Sequence, residues 1–353
     1  MERFSCPTRI FSGSGAVSAL KELGIKRLLM VADPYFYDNG TAQAIAAHAG
    51  AEAVEYFHQV KPDPSVELAA EGTAVVQAFN PDAIAALGGG SAMDCAKAMA
   101  YFSGTAARLI AIPTTSGSGS EVTDFAILTH SGVKHPLVDP RLRPEIAILD
   151  SDLTAKLPPA LVADGGFDVL THAAEAYVAT NRSPITDALA KEAFRAAFQA
   201  LPDSFGGRQS ARPIVHSAAT MAGMAFTQAG LGLCHALAHS LGGEFHIPHG
   251  RLNAILLPAV IRCNASAAGR RYAELARAIG LEGRAETLGV RNLISALVRL
   301  RKELNLPATL NVSLAGKREA ILDAALADPC CATNPVPVTR AMARQVLDEV
   351  CHG

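Results

Sequence analysis

The first 150 or so residues alternate short apolar runs with stretches whose apolar positions recur at helical spacing. RLLMVAD (27–33) reads as a buried strand, followed after Pro34 by a helix through TAQAIAAHAG. AVEYFH (53–58) reads as a strand and PSVELAAEGTAVVQAF (64–79) as a helix. DAIAALGGGS (82–91) reads as strand and turn, AMDCAKAMAYF (92–102) as helix, and RLIAIPTT (108–115) and EIAILD (145–150) as strands. Strands alternating with helices predict a Rossmann-like parallel sheet with helices on both faces, which takes its ligands at the carboxyl ends of the strands. LPP at 157–159 punctuates the chain, and the character then changes. DALAKEAFRAAFQAL (187–201), GRRYAELARAIG (269–280), VRNLISALVRLRKELNL (290–306) and TRAMARQVLDEV (339–350) are helical periodicities with almost no β-rich runs between them. The expectation is an α/β domain over 1–157 and an all-helical domain over 158–353, without internal repeats.

Composition narrows this picture. Half of the 353 residues are hydrophobic but only 5% are aromatic and none is Trp, which suits close packing of helices on a sheet. A net charge of -2, from 31 basic and 33 acidic residues spread along the chain, leaves no basic stripe for nucleic acid and no polybasic membrane patch. The start, MERFSCPTRIFSGSG, lacks a long apolar core, and no uninterrupted apolar stretch approaches a spanning length. The seven cysteines are scattered without a CxxC pair. Free thiols in a reducing, cytoplasmic setting are therefore expected.

Two loops carry candidate chemistry in the α/β part. Gly88, Gly89, Gly90 and Ser91 lie between an apolar strand and a helix, where glycine admits an anion close to the backbone and the helix start offers free N–H groups. They form a candidate pyrophosphate cradle, although such turns also serve packing alone. TTSGSGSEVT (114–123) is a second loop of hydroxyls and glycines at a strand end. Neither is a Walker A loop nor a G-x-G-x-x-G fingerprint. Asp33 ends its strand where a carboxylate accepts from a ribose and repels a 2′-phosphate, which favours NAD over NADP; a turn aspartate before Pro34 fits equally well.

The helical part holds CHALAHSLGGEFHIPHG (234–250), with four of the chain's eleven histidines. His235 and His239 are four apart, as are Asp168 and His172 in GFDVLTHAAEAYV, with Glu175 further round the helix. One such pair is weak evidence. Two pairs followed by PHG at 248–250 make a divalent metal site a candidate beside core or capping roles. A metalloprotease needs H-E-x-x-H, and His235-Ala-Leu-Ala-His239 lacks the glutamate. Cys234 adjoins the cluster and is read as a small buried hydrophobe.

Taken together, KPDPSVE (61–67), GGGSAMDCAK (88–97), IPTTSGSGSEVT (112–123), KHPLVDPRLRPEIAILDSDL (134–153), GFDVLTHAAEAYV (166–178), AGLGLCHALAHSLGGEFHIPHG (229–250) and NAILLP (253–258) occur in the order seen in the iron-containing (group III) alcohol dehydrogenases, which the chain resembles from about Phe4 to Asn334-Pro335. Within the family it looks most like the propanol dehydrogenases of bacterial microcompartments. The resemblance implies a dehydroquinate-synthase-like fold and an NAD(P)H-linked interconversion of alcohol and aldehyde, with the α/β domain binding the dinucleotide and the helical domain the metal. It places metal ligands on Asp168, His172, His235 and His249, and a non-ligand histidine near the substrate, a proton-relay candidate, on His239. His246 matches no ligand. Cofactor contacts carry over to Asp33, Gly89, Gly90, Ser91, Asp94, Thr114, Thr115, Ser118, Lys134 and Leu153. Fe(II) is the family's metal, and Zn(II) would bind such a site more tightly by the Irving–Williams order.

The expected activity is NAD(H)-linked reduction of short aldehydes, such as propanal to 1-propanol. The expected assembly is a homodimer or larger, in the cytoplasm and with possible microcompartment association. Polyol oxidation or a dehydroquinate-synthase-type lyase reaction on the same fold is the enzymatic alternative, and a non-catalytic, shell-associated metal-binding protein the other. Arg251 stands where relatives often carry a small apolar residue, and the chain is trimmed in its last helical part relative to many of them.

Overall fold

Continuous apolar runs become central strands because a parallel sheet covered on both faces buries every side chain along them. A computed structural model describes residues 4–130 and 133–351. Contacts divide the chain into two compact units, Cys6–Lys156 and Leu157–Gly353 with Met1–Ser5.

In the first unit, β1 (Arg9–Ser12), β2 (Arg27–Ala32), β3 (Ala53–Phe57), β4 (Ala83–Gly88), β5 (Arg108–Pro113) and β8 (Ile146–Leu149) form one parallel sheet in the order β1-β8-β5-β4-β2-β3. Alternate residues serve opposite faces. Leu28, Met30, Ala83, Ala85, Leu87, Ile110 and Ile112 pack on one face with Ala42, Ile45 and Ala46 of α2 (Thr41–Ala47), which follows the short α1 (Pro34–Asp38). Leu29, Val31, Ile84, Ala86 and Ala111 pack on the other face, with Val76 of α3 (Val66–Phe79) and Met93, Ala96 and Met99 of α4 (Gly90–Ser103). The chain leaves β2 for β3 on one side and resumes with β4 on the other, so the strand order reverses between β2 and β4. That reversal opens the crevice at which sheets of this class take ligands.

The strands of this unit and the helices α3 and α4 fall where the apolar pattern predicts them, within a residue or two, whereas the helix expected from Pro34 through residue 50 is broken at Asn39-Gly40 into α1 and α2 and ends at Ala47. Two features were not foreseen. The short edge strand β1 carries too little apolar sequence to announce itself. β6 (Phe125–His130) and β7 (Val133–Val138) form an antiparallel hairpin in which charged and proline positions obscure the strand pattern.

The second unit is helical: α5 (Pro159–Val178), α6 (Pro184–Phe205), α7 (Arg212–Ala229), α8 (Leu233–Phe245), α9 (His249–Ala278), α10 (Glu286–Glu303), α11 (Arg318–Ala327) and α12 (Arg340–Val350). GRRYAELARAIG proves to be the end of the 30-residue α9, which runs through a buried Pro258. By length and composition α9 could cross a membrane, but 72% of its apolar window is buried inside this unit, where it is the core helix. Glycines let its neighbours approach. A Cβ on Gly166 would stand 2.2 Å from Leu201 Cδ1, bringing α5 against α6, and one on Gly250 would stand 1.9 Å from the Asp164 carbonyl oxygen, bringing the start of α9 onto the backbone of α5.

Candidate functional site

Helical periodicity puts Asp164, Asp168, His172 and Glu175 on one side of α5, and all four are buried. Opposite them α8 presents His235 and His239, and α9 opens with His249 directly after Pro248. Asp168 Oδ1 lies 3.5 Å from His249 Nε2 and 3.8 Å from His235 Nε2, within a group whose ligand atoms all stand within 4.8 Å of one another. His172 flanks this group, with Nδ1 3.9 Å from Asp168 Oδ1 and its ring stacked on that of His235 at 4.5 Å between centroids.

A side chain that sequence reasoning missed shows where these atoms point. Asn253, fully buried one turn after His249, donates from Nδ2 to Asp168 Oδ1 at 2.8 Å, and the same nitrogen stands 3.2 Å from His249 Nε2 and 3.4 Å from His235 Nε2. A carboxylate oxygen and two imidazole nitrogens thus converge on one amide nitrogen. That is what a carboxylate and imidazole donor set for a divalent transition metal requires.

Glu175 was passed over as lying further round the helix, yet it fixes His235. Its carboxylate accepts from the backbone N–H groups of Gly232 at 3.0 Å and Cys234 at 2.7 Å, which opens α8, and from His235 Nδ1 at 2.6 Å. A carboxylate only accepts, so the Nδ1 proton is held there and Nε2 is the nitrogen turned toward Asp168. Burial works against charge on His235, but the hydrogen bonds to Asp168 and Glu175 outweigh it and raise the group to about 9. His249 is pushed well down by burial, and Asp168, although buried, is held below the usual carboxylate range by the surrounding imidazoles. The pocket is built to be neutralised by a cation.

Two further pairs brace the candidate ligands. Arg251 grips Asp164 through Nε at 3.2 Å and a terminal nitrogen at 3.1 Å, one turn before Asp168 on α5 and two residues after His249. His239 donates from Nδ1 to Asp328 Oδ2 at 2.8 Å while its ring stacks on that of His249. Asp328 is partly buried, which raises it, but the His239 hydrogen bond wins and holds it down at about 2. His246 is the left-handed cap that ends α8, with φ +54°. Cys234 is fully buried, with burial pushing its thiol well up.

Signals for the missed residues differ in kind. Glu175 follows Asp168 by seven positions and so repeats the face of α5 that carries the ligands. Asn253 repeats the face of His249 four positions on. Asp328 lies 89 residues from His239, and nothing local announces it.

In the first unit, the loop candidates gather at the carboxyl ends of β2, β4 and β5. Gly88 adopts φ +154°, and a Cβ there would stand 2.6 Å from the Ala92 Cβ and 3.6 Å from Asp33 Oδ2. A Cβ at Gly89 would press on Thr115 Oγ1 at 3.2 Å, and one at Gly90 on Ser118 Cβ at 3.3 Å, so the two loops lie face to face with little room for side chains. Thr114 is buried and its N–H donates to the Gly88 carbonyl. Ser91 sits in the first turn of α4, where no side chain caps the free N–H groups. Such a helix start, lined by glycine, has the form of an anion cradle.

Asp33 serves the turn: Oδ1 accepts from Phe36 N at 3.3 Å to cap α1, while Oδ2 lies near Gly88. The other candidates are engaged elsewhere. Asp94 accepts from Ser120 Oγ and Ile127 N, Lys134 donates to Asp63 Oδ1 at 2.7 Å, and Leu153 packs against the sheet core after β8.

Comparisons with known proteins address both units. The iron-containing alcohol dehydrogenase model matches residues 7–151, and the C-terminal model of the same family matches 162–351. The 1-propanol dehydrogenase PduQ of Salmonella typhimurium is 40% identical over 99% of this chain and 100% of its own length. The NADPH-dependent butanol dehydrogenase of Clostridium saccharobutylicum is 37% identical over 100% of this chain and 99% of its own. Sulfoacetaldehyde reductase from Bifidobacterium kashiwanohense, solved in complex with NAD+, superposes with a TM-score of 0.90 at 28% identity, covering 99% of this chain and 98% of that one. The parallel sheet, the helical unit and matches that together span nearly the whole sequence lead to one assignment: the chain belongs to the iron-containing alcohol dehydrogenase family.

Proposed function

We propose that this protein is a metal-dependent, NAD(H)-linked alcohol dehydrogenase that reduces short aldehydes, propanal among them, to primary alcohols and catalyses the reverse oxidation. The carrying observation is the convergence of Asp168 Oδ1, His235 Nε2 and His249 Nε2 on one amide nitrogen in a buried pocket. Asp168, His172, His235 and His249 would hold the ion, Fe(II) by family and Zn(II) as its competitor. Asp33, Gly88, Gly89, Gly90, Ser91, Asp94, Thr114, Thr115, Ser118, Lys134 and Leu153 would form or support the dinucleotide site. When bound, the ion supplies Lewis acidity at the substrate oxygen and the nicotinamide supplies or accepts a hydride.

The chain's own residues do the rest. Glu175 keeps the His235 proton on Nδ1, and Asn253 keeps Asp168 turned inward. Asp328 holds the His239 Nδ1 proton, which leaves Nε2 to give or take the proton that accompanies reduction or oxidation at the substrate oxygen. Asp33 is a carboxylate where a 2′-phosphate would be repelled, which supports NAD over NADP. The name of the Clostridium relative points the other way, so the test includes both. Residues 1–157 form the dinucleotide-binding domain and 158–353 the metal-binding domain in this reading. It extends to a homodimer or larger assembly and, through the resemblance to microcompartment propanol dehydrogenases, to association with such a compartment.

The test is anaerobic purification, metal analysis, and initial rates with ethanal, propanal, butanal and glycerol under each cofactor. Metal-dependent reduction of propanal with NADH is the expected result. Turnover of glycerol alone would replace the substrate class, and NADH binding without any turnover would overturn the enzymatic reading.

A further inference from the structure

Lys97 is the one lysine that the core encloses completely among the described residues, at 1% exposure. Its ammonium donates to Ser120 Oγ at 2.9 Å, to Thr123 O at 3.1 Å and Oγ1 at 2.9 Å, and to Phe125 O at 2.8 Å. Asp94, nearly one turn earlier on α4, accepts from Ser120 Oγ at 3.1 Å and from Ile127 N at 3.2 Å. Ser120 N in turn donates to Ser118 Oγ at 3.3 Å, and Ser118 is the residue pressed against Gly90. One helix therefore carries both the glycine cradle at its start and, on the same face, a charged pair that grips the end of the second loop and the strand beyond it, from Ser120 to Ile127.

Burying an ammonium and a carboxylate costs several kcal/mol unless each is fully satisfied. Here burial lowers Lys97 to about 8 and raises Asp94 to about 6, each partner's charge opposing the shift. The fold bears that cost at the point where two loops must be held one side-chain-free layer apart.

We propose that Lys97, acting with Asp94 through Ser120, is a positioning residue that sets the spacing of the two cofactor loops and thereby the affinity for the dinucleotide. This rests on the dinucleotide reading of those loops. A loop ordered in advance spares the bound state the entropy of ordering it, so loosening the clasp weakens binding while leaving the chemical step intact.

The experiment titrates NADH by its own fluorescence into metal-loaded wild type, Ser120→Ala, Thr123→Val and Lys97→Met, and measures KM and kcat with propanal. The expected result is a dissociation constant for NADH raised about tenfold in Ser120→Ala, the worth of one charge-assisted hydrogen bond, and more in Lys97→Met. Metal content, propanal KM and kcat at saturating NADH remain within about twofold of wild type. Thr123→Val keeps the shape of the site and decides the matter if Lys97→Met fails to fold. Unchanged NADH affinity in variants that are soluble but melt earlier would make the clasp merely structural and overturn the proposal. Failure of the wild type itself to bind NADH would overturn the dinucleotide reading, and the proposal with it.

Discussion

Replacing Glu175 by glutamine changes one heavy atom and should loosen the metal. The glutamate receives backbone N–H groups at 3.0 and 2.7 Å and the His235 Nδ1 proton at 2.6 Å, all at acceptor oxygens. Glutamine keeps one oxygen and brings one donor. If its oxygen faces His235, its NH2 meets the Cys234 N–H; if its NH2 faces His235, the imidazole must move its proton to Nε2, where the metal binds. Leaving one buried donor unpaired costs about 1–3 kcal/mol. That converts to roughly tenfold to a hundredfold in an equilibrium constant, the same range found when carboxylate partners of metal-bound histidines are removed. The assay is competition between Glu175→Gln and a chelator of known affinity, paired with melting curves with and without metal. Metal affinity equal to wild type in a folded Glu175→Gln protein would refute the reasoning, because either orientation of the amide must disturb a donor.

His239→Ala should keep its metal and lose most turnover, and Asp328→Asn should show the same split more weakly; metal loss in His239→Ala equal to that in His235→Ala would remove the proton-relay role. His216 is buried and burial lowers it to about 4 from an ordinary 6.5, so the unfolded chain protonates first as pH falls. Its contribution is present above about 6.5 and is lost between there and about 4, worth about 3 kcal/mol, and His216→Leu should flatten denaturant stability over that window. Gly250→Ala should destabilise the helical unit by about 3 kcal/mol or more through overpacking and lower its metal content, which calorimetry and metal analysis would detect.

What could be read in advance follows from how local the cause is. β2, β4 and β5 announce themselves because both faces are buried, and Asp168, His172, His235 and His239 because helical spacing pairs them. The hairpin β6–β7 hides because Lys134, His135 and Pro136 break the apolar pattern, and its strand state comes from pairing across the turn. His235 was legible as a candidate ligand, whereas Glu175, its partner across 60 residues, gains its role only when α5 and α8 meet. Lys97 looks on the sequence like a solvent-facing helix lysine, and only the folded loop beyond it supplies four acceptors.

The bare backbone contact between Gly250 and Asp164 also bears on time rather than affinity. Asp168 lies one turn beyond that contact on α5 and His249 immediately before it on α9, so the backbones that carry these two candidate ligands are held against each other. An ion seated between them would leave most readily when α5 and α9 part, a sub-global opening rather than a side-chain flicker. Replacing one metal by another in the folded protein should then be slow, and the ion acquired during folding should be the one retained.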